Sequence, residues 1–138
     1  MKCININEVK PFISKGETDK DHPTTYHIGV LDSFVKAYIE DKTSGFEAVP
    51  GKPDEEAQIK LDLALRSILT VKFGVKKIDN LINPETDQPL AFEPEIISIA
   101  GKDYQVLPDS VVSVIPNISE LASVILTRNG LSGEERKN

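Results

Sequence analysis

The 138 residues contain no tryptophan and only five Phe and three Tyr, so a core must be packed mainly by Ile, Leu and Val. There is one cysteine, Cys3, which excludes an internal disulfide framework and a cysteine-rich zinc site and fits a reducing compartment. No base stands near Cys3 in sequence to stabilise a thiolate, so it reads as an inert thiol rather than a nucleophile. No apolar run is long enough for the core of a signal peptide or for a membrane span, and the expectation is a protein that stays where it is made, with no membrane partner. Internal repeats and low-complexity tracts are also missing. Basic clusters are scarce: the densest stretch, Val75-Lys76-Lys77, stands beside Asp79, and the net charge is −6 with a pI near 4.9. That balance opposes a phosphate backbone, so no direct nucleic-acid partner is expected.

What is present is the composition of an ordinary globular domain, 39% hydrophobic and 28% charged. The length suits one domain, taken as residues 1–130 with a charged tail at 131–138. Ile4 and Ile6 alternate with Asn5 and Asn7 as a short strand would, and residues 11–23 are polar between two prolines, which predicts a loop. Thr24 to Val30 is β-rich, with Tyr26, Ile28 and Val30 on one face and His27 on the other. Leu31, Phe34, Val35, Tyr38 and Ile39 then recur at helical spacing behind Asp32 as the cap. A second loop is expected over 43–53.

Asp54-Glu55-Glu56 stand where a helix dipole favours acids, and the run to Phe73 predicts one long helix with Ala57, Leu61, Ala64, Leu65 and Ile68 on its principal face. Ile59, Leu63, Leu69, Val71 and Phe73 widen that face enough to imply cover on more than one side, and Gly74 closes the helix. Val75 to Ile82 fits a strand or a short helix. Glu95–Ile99 and Asp103–Leu107 around Ala100-Gly101-Lys102 form a hairpin signal, and two strands alone are marginal in water, so pairing with the N-terminal strands is expected. Val111–Ile115 fits a short helix behind Asp109 or a strand, and 117–129 is a helix with Asn117 and Glu120 at capping-box spacing over Ile118, Leu121, Ala122 and Ile125. The fold class is therefore α+β: a small antiparallel sheet packed with about three to four helices, joined by long polar loops.

No stretch carries recognisable chemistry. Gly45 to Lys52 resembles a phosphate loop only superficially: five residues separate its glycines, Pro53 replaces the metal-binding hydroxyl, and Pro50 removes an amide donor. Asp19, Asp21 and His22, with His27 nearby, match no standard metal spacing; the first three read as a solvated acidic loop and His27 as a residue of the sheet's outer face. Ser33 and Lys36 have the SxxK spacing without the motifs that accompany it in enzymes. The expectation is no catalytic, cofactor-binding or metal site, although a site assembled from residues distant in sequence leaves no motif. The loops at 11–23 and 43–53 read equally as contact arms or plain connectors.

The chain ends ILTRNGLSGEERKN. Gly130 is placed as a helix stop, and Ser132 with Glu135 then repeats the capping-box spacing with only three residues left to follow. One turn cannot hold itself. Two expectations stand side by side: Leu131, Ser132, Glu135 and Arg136 become ordered against another chain, or the end is simply frayed.

The C-terminal stretch VLPDSVVSVIPNISELASVILTRNGLSGEERKN, with PTTYHIGVLDS near the N-terminus, resembles small tailed-bacteriophage morphogenesis proteins. The resemblance covers under half of the chain. It implies a non-enzymatic virion structural or assembly protein of head, neck or tail, with other virion or assembly proteins as partners and a homo-oligomer among the arrangements. It carries no catalytic residues, and it leaves tail chaperone and virion component both open. It also implies location in the cytoplasm of the bacterial host during assembly, or in the virion. The alternative is a soluble phage-encoded regulator that binds a host protein.

Overall fold

The computed structural model describes residues 1–48 and 57–129. Ile4 and Ile6 are exposed and belong to no strand, a correction to the alternation read there. The asparagines are the reason: Asn5 accepts the amide of Asn7 with its side chain at 3.1 Å and that of Glu8 with its carbonyl at 3.3 Å, a local turn that competes with strand pairing. The first strand, β1 (Lys10–Ile13), instead takes up the start of the expected loop. Then β2 (Thr25–Ile28) buries Tyr26 and Ile28 and turns His27 to the other face, as the alternation requires.

Helix α1 (Ser33–Thr43) begins at Asp32, whose carboxylate accepts the Val35 amide at 2.9 Å. Val35 and Ile39 are buried and Tyr38 half-buried, whereas Phe34 is exposed. The helix runs directly into β3 (Ser44–Ala48), which pairs antiparallel with β4 (Ala57–Leu61) from Ser44 opposite Leu61 to Ala48 opposite Ala57. Two expectations are corrected here. The loop at 43–53 starts as a strand, and the long helix is shortened to α2 (Leu63–Gly74), capped by Asp62 through the Leu65 amide at 2.9 Å. Ala57, Ile59 and Leu61 alternate with Gln58 and Lys60, so the same residues satisfy a two-residue and a helical count. The closed hairpin base, with the Asp62 amide on the Thr43 carbonyl at 2.7 Å, decides between them.

The far end of α2 is enclosed on all sides, since Thr70 to Gly74 are consecutively buried. Gly74 leads at once into β5 (Val75–Asp79), so the ambiguous segment is a strand, and β1, β2 and β5 form an antiparallel sheet in that order. A small hairpin follows, β6 (Ile82–Asn83) with β7 (Gln88–Pro89). Next comes the expected hairpin, β8 (Glu95–Ile99) with β9 (Lys102–Val106), turned through Ala100 and Gly101 at φ of 52° and 80°. It does not join the β1-β2-β5 sheet, which corrects the single sheet expected. The hairpin is held by α2 instead: the Leu107 amide donates to the Lys72 carbonyl at 3.0 Å, and Phe73 meets Tyr104 edge-on with ring centroids 6.4 Å apart.

Short α3 (Asp109–Val112) starts behind Pro108, so Asp109 lies inside the helix rather than capping it. Finally α4 (Ile118–Asn129) buries Leu121, Ala122 and Ile125 against α2, with Asn117 donating to Glu120 at 2.9 Å. The described residues thus form a mixed α+β fold of four helices and small antiparallel sheets around one aliphatic core. None of the described helices is long and apolar enough to cross a membrane.

Candidate contact surfaces

The β3–β4 hairpin has no third strand among the described residues, and its packing partner is α1, through β3 alone in any substantial degree. It stands between α1 and α2 as an insertion into the helical pair. Two strands without a sheet have unpaired outer edges on both sides.

A second surface lies where α4 ends. Asn129 holds that end in place: its side-chain oxygen accepts the Leu31 amide, its side-chain nitrogen donates to the carbonyls of Gly29 at 3.3 Å and Ile125 at 2.7 Å, and its own carbonyl accepts from Lys36 Nζ at 3.3 Å. Lys36 is thereby occupied in satisfying a helix C-terminus, where a cation is favoured. Ser33 stays exposed, so the SxxK pair serves α1 and α4 separately. Next to Arg128, which donates to the carbonyls of Lys10 and Pro11 at 3.2 and 3.3 Å, the open edge of β1 is partly closed.

Two pockets with polar groups in their lining were not legible in the sequence. One, of about 290 Å³, is lined in part by Ser14, Glu17, Thr24, Tyr26 and Asn117. Beside it Ser14 donates to Glu120 at 2.6 Å and Tyr26 to Asn117 at 3.0 Å. The hydrogen bonds from Asn117 and Ser14 hold the Glu120 carboxyl below the usual range, which lowers its affinity for a serine proton, the reverse of what a general base needs. Burial raises the Tyr26 phenol to about 12. Glu17 is depressed by accepting the amides of Asp19 and Thr24.

The other pocket, of about 340 Å³, is bounded by Ile6, Val9, Asp32, Lys76, Lys102 and Tyr104 among others. Asp32 accepts from the Tyr104 hydroxyl at 2.6 Å and Lys102 at 3.3 Å. Burial opposes ionisation of Asp32, but these bonds and that of the Val35 amide outweigh it and keep its carboxyl low. Tyr104 is pushed up to about 12 by desolvation and by its bond to Asp32. Desolvation lowers the Lys76 ammonium, with the Asp32 charge acting against it.

The remaining residues weighed for chemistry are separate. Asp19 accepts the amides of Asp21 at 3.0 Å and His22 at 2.9 Å, an acidic turn satisfied by its own backbone. His27 lies 2.7 Å from Asp79, on the sheet, and its hydrogen bond is the main cause of the depressed Asp79 carboxyl. No three His, Cys, Asp or Glu among the described residues are grouped to hold a metal ion, and Cys3 is exposed. Leu131, Ser132, Glu135 and Arg136, the expected partner contacts, lie outside the described residues, as does the Val49–Lys52 part of the glycine loop. Comparison with protein families, with curated proteins and with solved structures finds no match to this chain.

Proposed function

We propose that this chain is a non-enzymatic subunit of bacteriophage morphogenesis, in head, neck or tail, that works through protein-protein contacts. The observation that supports this reading is the β3–β4 hairpin, a two-stranded sheet with no third strand among the described residues, inserted between α1 and α2. Such a hairpin gains stability when a neighbouring chain supplies further strands or an apolar cover, which is how an assembly subunit uses an arm. The resemblance of the C-terminal third and of PTTYHIGVLDS to phage morphogenesis proteins supplies the setting, and Leu131, Ser132, Glu135 and Arg136 are the second contact in this reading.

The test is genetic and visual. A phage carrying a stop codon early in this reading frame is grown, and the lysate is inspected by electron microscopy. Accumulated tailless heads, empty heads or free tails are expected. Normal infectious particles would overturn the assembly reading, and a low yield of such normal particles would favour the host-directed regulator.

A further inference from the structure

Lys76 stands at the start of β5, just past the end of α2, and its stem lies across Gly29: a Cβ added there would come within 2.7 Å of Lys76 Cε and 2.9 Å of Cγ. Its nitrogen donates to the Phe73 carbonyl at 2.7 Å, one of the carbonyls in the last turn of α2. Among the described residues Lys10, Lys72, Lys77 and Lys102 each come within 4.0 Å of a carboxylate, and Lys76 does not. Lys76 also lines the cavity of about 340 Å³ whose apolar wall is Ile6, Val9 and Val30. Ile6 and Val9 keep 44% and 47% of their surface exposed there, apolar area that the described residues leave uncovered. The other titratable groups of the lining are Asp32, Asp103, Lys102 and Tyr104. Asp32 is taken up by Tyr104 and Lys102, and Asp103 by the Ser98 hydroxyl.

We propose that Lys76 is a covalent site for a small neutral aldehyde, which forms an imine with the Lys76 amine while its hydrocarbon part rests against Ile6, Val9 and Val30. A lysine becomes a nucleophile when its nitrogen has a free lone pair. Desolvation lowers the Lys76 ammonium from its ordinary value, with the Asp32 charge acting against it, and a neutral carbonyl partner opposes deprotonation less than a carboxylate would. Lys72 is buried more deeply but is unsuited, because Asp109 holds its nitrogen at 2.7 Å and the Leu107 carbonyl at 3.0 Å. In the reaction the Lys76 nitrogen attacks the aldehyde carbon, both of its protons pass to the carbonyl oxygen, and that oxygen leaves as water, so no oxidant or reductant takes part. Charge sets the ligand class: with Lys76 deprotonated, Lys102 stands against Asp32 and Asp103, a balance that disfavours an anionic aldehyde. The volume is at the lower end of small-molecule sites and suits a ligand of a few carbons. The inference stands apart from the proposed assembly role, since it concerns the chain alone.

The test incubates the full chain near neutral pH with butanal and sodium cyanoborohydride, which reduces the imine to a stable secondary amine, and follows each lysine by peptide mass mapping. Lys76 is expected to be alkylated about fivefold faster than Lys77, its neighbour in the chain, and the preference should vanish when the chain is unfolded in urea. With glyoxylate, an anionic aldehyde, the ratio of Lys76 to Lys77 should be smaller than with butanal. In Lys76→Arg the fast phase should be lost while the other lysines keep their rates. Equal rates at Lys76 and Lys77 in the folded chain, or a preference that persists in urea, would overturn the inference. A larger ratio with glyoxylate would overturn the ligand class, and none of these results bears on whether the phage needs the protein.

Discussion

Asp32 accepts three hydrogen bonds from two separate parts of the chain: the Val35 amide that starts α1, and the Tyr104 hydroxyl and Lys102 ammonium on β9. Removing it takes away a helix cap and leaves a half-buried phenol without its acceptor. Asp32→Ala is expected to cost about 2 to 3 kcal/mol, the sum of a cap and one charge-assisted bond. Tyr104→Phe keeps the cap and should cost about 1 kcal/mol. Urea denaturation of the two variants checks the ordering, and equal losses would show that the cap contributes nothing. The cap was legible in the sequence, since Asp32 precedes a helical stripe. Its bonds to Tyr104 and Lys102 were not, because they join residues 72 and 70 positions apart. Asn129 teaches the same: read in sequence as the end of a helix, it is in the fold a junction between α4, the β2–α1 connection and α1.

Among the elements, α2 is the one that the others depend on, and Gly74 is its tightest point. A Cβ there would come within 2.7 to 3.1 Å of three atoms of Ile125 on α4. A Cβ at Gly29 would also approach within 2.7 Å, but of the flexible Lys76 side chain. Gly74→Ala is therefore expected to destabilise by about 1 to 2 kcal/mol and Gly29→Ala by less, with Ile125→Val recovering part of the Gly74→Ala loss by relieving the same contact. Thermal unfolding of the four proteins measures it. The hairpin between α1 and α2 behaves differently. Having no third strand among the described residues, β3 and β4 should exchange their amides orders of magnitude faster than β2, the middle strand of its sheet. Protection equal to that of β2 in the isolated chain would mean that another surface already covers the hairpin. Sequence periodicity located α1, α4 and the β8–β9 hairpin, where a single period fits. It failed over 57–61, where Ala57, Ile59 and Leu61 satisfy two periods, and only pairing with 44–48 distinguishes them.

At the scale of the whole molecule, pH should limit stability from both sides. Asp32, Asp79 and Glu120 ionise more readily folded than unfolded, so the unfolded chain binds more protons near pH 4. Their contribution is complete above the ordinary carboxylate range and is lost as pH falls below it through their lowered folded values. Tyr26 and Tyr104, raised to about 12, do the opposite: their contribution is complete below the ordinary phenol value near 10 and disappears as pH rises through 12. Denaturation midpoints measured from pH 2 to 12 should form a plateau with an acid and an alkaline shoulder. Asp32→Asn should flatten the acid one, and an unchanged acid limb would assign it to other carboxylates. Composition and periodicity by themselves determined the mixed α+β class, the aliphatic core and the cap at Asp32, because burial and capping depend on neighbours within a turn or two. Only the tertiary structure decided that the strands divide among separate sheets, that 57–61 is a strand, and that Asn129 and Lys36 meet where α4 ends. Those outcomes depend on contacts between residues far apart in sequence, whose competing pairings cost nearly the same until the helices pack.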